Sequence, residues 1–124
     1  MQPVMRARSI DLSYTENLNE LNPQRLAEFD GLVLYANIDS IAPPQARALL
    51  DYVAGGKGFI PLHCASFCFR NNDEVVALMG AQLQRHGTGV FRVTPSEAGR
   101  SHPLMQGYGG FESWDETYVH TKHN

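Results

Sequence analysis

The sequence predicts an α/β domain built on parallel strands. Three observations carry this: two unbroken apolar runs at 31–36 and 57–62, an amphipathic stretch between them, and turn-forming residues at each junction. At 124 residues the chain is one domain or part of one, since domains usually run about 100 to 150 residues. No second core is expected.

In chain order, Asn22-Pro23 opens a helix. The Asn side chain accepts free amide protons at the cap, and a proline in the first helical position loses no hydrogen bond by lacking its N–H. Leu26 and Phe29 give that helix a short apolar face. Gly31-Leu32-Val33-Leu34-Tyr35-Ala36 reads as a central parallel strand, because a strand covered on both faces shows continuous rather than alternating hydrophobicity. After the Asp39-Ser40 turn, Pro43 starts a helix over 43–54. Its Ala46, Leu49, Leu50 and Val53 form one stripe, and Gly55-Gly56 ends it. Residues 57–62 give a second strand, parallel and adjacent or near-adjacent to the first, with the 43–54 helix as right-handed crossover. Asn71, Asn72 and Asp73 cap a further helix carrying Val75, Val76 and Met79, closed by Gly80. Beyond Gly87, residues 88–94 alternate as a strand, and the aperiodic remainder reads as loops. The whole is a mainly parallel sheet with helices on both faces, a flavodoxin-like three-layer sandwich.

Composition narrows the function. A formal charge of -3 shows no basic excess to meet phosphates, so nucleic acid is an unexpected partner. No apolar run approaches the roughly 20 residues that span a bilayer, and residues 1–9 lack the apolar core of a secretory signal. Cys64 and Cys68, four apart in one segment, suit two reduced thiols better than a disulfide. A cytoplasmic location follows as the expectation, with no membrane partner.

Ligands of open parallel sheets sit outside the carboxyl ends of the strands, and Leu62-His63-Cys64-Ala65-Ser66 lies at such an end. His63 and Cys64 there can supply a base, a nucleophile or metal ligands. Equally, Cys64 reads as a small buried apolar residue and His63 as a satisfied histidine. A nucleophile elbow centred on Cys64 needs small residues two places either side and finds Leu62 and Ser66. With no downstream His-Pro-Glu to complete a triad, amide hydrolysis by Cys64 is disfavoured. His86, His102 and the Asp115-Glu116 pair lie beside Gly, Pro or aromatics, where functional polar groups are common, although His102-Pro103 also suits a plain turn. His63, His86 and Glu116 would make a zinc-type ligand set with an open position. His120 and His123, close to the chain end, are expected to be tail residues rather than ligands.

Four stretches in order resemble the ThuA-like, or trehalose-utilisation, family, whose fold is similar to class I glutamine amidotransferases. They are LAEFDGLVLY at 26–35, LDYVAGGKGFIPLHCA at 50–65, LMGAQLQRH at 78–86, and HPLMQG at 102–107 running on to Phe111 and DETY at 115–118. The resemblance spans residues 20–119 and implies a single, partial ThuA-like domain over 1–124. Family members open with another strand and helix before the Asp30 region and continue past the Asp-Glu-x-Tyr stretch, so the sheet is expected to be incomplete at both ends. The resemblance further implies a pocket holding His63, His86, His102 and Glu116, with His63, His86 and Glu116 catalytic and Cys64, His102, Asp115 and Tyr118 against the substrate. The three catalytic residues are expected to converge at the carboxyl edge of the sheet.

Two functions remain in play. One is a carbohydrate-active enzyme of sugar catabolism, not a glutaminase, that acts on a disaccharide or its keto form with His63 or His86 as acid or base, with or without a divalent metal such as zinc. The other is a non-catalytic sugar-binding or accessory module in which Phe111, Trp114 and Tyr118 offer apolar faces to a sugar ring. A glutaminase reading rests on fold similarity alone. Missing strands leave unpaired edges, so a homodimer is expected; the alternative is that residues 1–11 fold back as a charged edge strand and leave a monomer.

Overall fold

The computed structural model describes residues 2–123. The chain starts with helix α1 (Gln2–Arg6), which buries no residue and is not the edge strand considered for this segment. Helix α2 (Pro23–Leu26) is a single turn, and Asn22 caps it as expected by accepting the Arg25 amide proton at 2.9 Å. Strand β1 (Gly31–Leu34), helix α3 (Pro43–Ala54) and strand β2 (Gly58–Pro61) form the expected unit. β1 and β2 are parallel neighbours in the register Gly31 to Gly58 and Leu34 to Pro61.

Two prolines start α3, and the Gln45 side chain fastens that start from both ends. Its Oε1 accepts the Ala42 amide proton at 3.1 Å and its Nε2 donates to the Leu18 carbonyl at 2.9 Å. The stripe turns slightly from the expected one: Ala46 and Leu49 are buried, while Ala48 and Tyr52 meet Leu26 in a second cluster. Helix α4 (Asp73–Met79) is capped by Asn72 and closed by Gly80, whose φ of 93° is open to glycine at little cost. Its Val75 joins Leu49, Ile41, Cys68 and Phe69 in the main core, with Leu32, Leu34 and Phe59 packed on from the sheet.

Both of these helices cover one face of the parallel pair. On the other face Val33, Tyr35, Ile60 and Leu62 are 51%, 69%, 54% and 42% exposed. The continuous apolar runs were expected to be covered on both faces, and among the described residues only one helical layer is present to cover them.

The loop after β1 is laced to residues 68–71. The Cys68 thiol donates to the Ala36 carbonyl at 3.0 Å and accepts from the Ile38 amide at 3.2 Å, while Asn71 holds both the amide and the carbonyl of Ile41 at 2.9 Å. This lacing fixes the turn that lies between β2 and α4.

The second half departs most from expectation. Strand β3 (Gln82–Val93) and strand β4 (Phe111–Thr121) form a long antiparallel ribbon where one short strand and loops were expected. Helix α5 (Glu97–Arg100) and a short turn (Pro103–Met105) fill the connection. Gly110 closes it with φ of 90° where any Cβ would overlap the Val93 carbonyl. The architecture is therefore α/β, with a two-stranded parallel sheet and a separate antiparallel pair.

Candidate functional site

β2 runs into a 3-10 turn, His63–Phe67, at the carboxyl end of the parallel pair. His63 opens that turn with φ of 50°, a left-handed conformation that costs a residue with a Cβ about 1 kcal/mol or more. The left-handed residue of this turn is thus His63, and not Cys64, where an elbow was weighed and disfavoured. Cys64 is half-buried and Cys68 buried, and both are free thiols as the sequence suggested. Burial pushes the Cys68 thiol up, which fits its structural role.

β3 and β4 bring the remaining groups to this turn, and a β-bulge decides which. Leu83 pairs with His120 but Arg85 pairs with Val119, so Gln84 is an extra residue in β3. Were Gln84 paired one-to-one with Val119, His86 would oppose Thr117 and point to the other face. With Gln84 as the extra residue, His86 opposes Tyr118, one pair along from Gly87 and Thr117.

Tyr118 is the centre of the cluster. Its hydroxyl donates to Glu116 Oε2 at 2.7 Å and lies 2.8 Å from His63 Nδ1. His63 Nε2 in turn lies 3.4 Å from Asp115 Oδ1, and Glu116 Oε1 lies 3.5 Å from His86 Nδ1. The Tyr118 ring also packs edge-on against His63, His86 and His120, with centroids 5.0, 6.0 and 5.8 Å away. Burial, and then the hydrogen bond and charge of Glu116, hold the Tyr118 phenol well above its ordinary range. The Asp115 carboxyl is held below its usual range, first by the Glu116 amide proton it accepts and then by His63.

Counting hydrogens shows what the cluster needs. Three contacts link Asp115, His63, Tyr118 and Glu116, and each needs one hydrogen. A neutral imidazole and a phenol bring two. Filling all three takes one hydrogen more than those two, and the Tyr118 hydroxyl joins the His63 and Glu116 ends of the series.

His63, His86 and Glu116 therefore do come together, with Asp115 and Tyr118 among them. Cys64, His86, Glu116 and Tyr118 line one depression of about 440 Å³ together with Asn37 and Gln84. A zinc ion on His63, His86 and Glu116 does not fit this arrangement. The Tyr118 phenol stands between His63 and Glu116, both His63 nitrogens face protein partners, and no three His, Cys, Asp or Glu side chains among the described residues form a metal-binding group.

His102 is not brought to the cluster. Its Nδ1 accepts the Leu104 amide proton at 3.2 Å, which caps the Pro103–Met105 turn, and it borders a different, open depression with Val93, Leu104 and Tyr108. The turn-shaping reading of His102-Pro103 is the one realised. His120 reverses another expectation: it is a β4 residue, half-buried, with Nε2 3.1 Å from Ser66 Oγ. Neither Ser66 nor His120 was expected to take part in the cluster as a polar group. The signal for His120 was its place two residues after Tyr118 in a run of β-formers, Thr-Tyr-Val-His-Thr.

A parallel β-α-β unit carrying a polar cluster at its carboxyl end defines an α/β protein, with the cluster at the edge where such sheets commonly receive ligands. The family model for ThuA, trehalose utilisation, matches residues 1–124, and the chain belongs to that family. A solved structure described as a thua-like protein from Bacteroides uniformis superimposes with a TM-score of 0.78 at 16% identity, covering 98% of this chain and 51% of that one. The chain thus spans about half the length of the solved protein it matches, and the likeness concerns the fold. No curated protein matches the sequence. No helix among the described residues is long and apolar enough to cross a membrane.

Proposed function

We propose that the chain acts in sugar catabolism as a carbohydrate-active enzyme on a disaccharide or keto-sugar. The observation that carries this is the hydrogen-bonded series from Asp115 through His63 and Tyr118 to Glu116 beside an open depression. Sugar chemistry asks for such a unit. A leaving or carbonyl oxygen must gain a proton while a carbon- or oxygen-bound proton is removed, and a positioned acid and base together supply both. In this reading Glu116 and His63 exchange the proton, Asp115 orients His63, His86 supports Glu116, and Cys64 lines the floor. Membership of the trehalose-utilisation family supports the substrate class.

The test is a thermal-shift screen of disaccharides and their keto forms, followed by turnover assays on whichever raise the melting point. Glu116→Gln and His63→Ala should remove turnover while leaving the fold. Binding that persists in wild type with no turnover would favour the sugar-binding module, to which the exposed aromatics of β4 lend support.

We also infer that β1, β2 and their helices are part of a flavodoxin-like three-layer sandwich of the amidotransferase-like kind. The face bearing Val33, Tyr35, Ile60 and Leu62 is then the seat of a second layer. A second copy of this chain is the occupant we assign to it, since β1 and β2 each have a free edge and a two-fold contact covers face and edge together.

A further inference from the structure

Trp114 is the only tryptophan in the chain, and it is 70% exposed. Its cross-strand partner on β3, Val90, is 68% exposed. Neither belongs to the hydrophobic clusters of the core. An indole left in water beside a valine is a large apolar surface that folding has not used.

Its position gives it a use. Side chains alternate along a strand, so Trp114 shares a face of β4 with Glu116 and Tyr118, and the register sets Val90, Thr88 and His86 opposite those three. The bulge at Gln84 lies beyond His86, so the pairing from His86 to Val93 stays in phase. Two residues of strand span about 7 Å, roughly the repeat of one sugar ring, so the indole begins one ring beyond the Glu116 carboxylate. Polar side chains border it: Glu112 and Glu116 along β4, and Thr88 and Arg92 on the same face of β3. The apolar patch is consequently about one ring wide, too small for the core of a protein interface and well matched to the C–H face of a pyranose.

We propose that Trp114, with Val90 beside it, is a stacking platform for the second ring of a two-ring glycoside whose first ring lies at the His63, Tyr118 and Glu116 cluster. The inference rests on the sugar reading above and adds the place where a second ring is held. The negative π face of the indole attracts the polarised C–H bonds of the ring, while its hydroxyls stay with water and the bordering side chains.

With one tryptophan, emission reports this place directly. Titration of the whole chain with trehalose, keto-trehalose and glucose, followed by fluorescence and by calorimetry, should give a saturable change in Trp114 emission with a disaccharide at the same midpoint as the heat. Trp114→Ala should weaken the disaccharide about tenfold, leave glucose within about twofold, and melt like wild type, and Trp114→Tyr should restore most of the affinity. Heat of disaccharide binding with Trp114 emission unchanged and full affinity in Trp114→Ala would overturn the platform and leave the sugar reading standing. No heat with any of the three sugars would overturn both.

Discussion

At the scale of single residues, the side chains that carry the site were legible as types and places, and their partnerships were not. His63 follows an apolar strand, and His86, Asp115 and Glu116 lie beside turn formers, which is enough to mark them. That Tyr118 spends its hydroxyl between His63 and Glu116, instead of on a ligand, depends on distances between segments 55 residues apart. The raised Tyr118 phenol has a consequence for stability. A group whose proton is held more tightly in the folded state favours folding below its unfolded value, and that advantage falls away as pH climbs past the ordinary phenol range of about 10. Unfolding in urea at a series of alkaline pH values should show this loss, and Tyr118→Phe should remove that component of it. Glu116→Gln, which takes away a charge beside the phenol, should bring the Tyr118 ionisation down, as read from its ring carbon resonance by NMR.

At the scale of elements, β1, α3, β2 and α4 were readable because each is set by local signals: an apolar run, a stripe at helical spacing, an asparagine cap. β4 was not. Phe111 to Thr121 shows no alternation of apolar and polar residues because much of the ribbon faces water on both sides, and only its β-forming residues betray it. The bulge at Gln84 is also invisible to sequence patterning, although it turns His86 toward Tyr118. Deleting Gln84 should leave a regular ladder in which Leu83, Arg85 and His86 keep His120, Val119 and Tyr118 as partners, so sugar binding should stay within about twofold of wild type, with a change in stability much smaller than that of a core cavity. Calorimetry beside thermal melts separates the two effects. Asn71, by contrast, serves only the scaffold: Asn71→Ala strips two hydrogen bonds from Ile41 and should cost about 1–3 kcal/mol in urea unfolding.

For the whole molecule, apolar runs indicate a strand suited to burial on both faces, but not what does the burying. Val33, Ile60 and Leu62 follow that rule, yet both packed helices lie on the opposite face. If a second copy covers the bare face, light scattering should give the mass of a dimer, and Ile60→Glu should reduce it to that of one chain with little loss of secondary structure. A concentration-independent mass of one chain for the wild type would remove the dimer from the account.

The central claim, that a sugar is held at the His63, Tyr118 and Glu116 cluster, is most directly tested by following the five histidine ring resonances during titration with a disaccharide that raises the melting point. The account predicts that His63 and His86 shift together and saturate with the same midpoint as the thermal effect, while His102, which caps its own turn at the other depression, stays still. A saturating shift of His102 with His63 and His86 unmoved would contradict it.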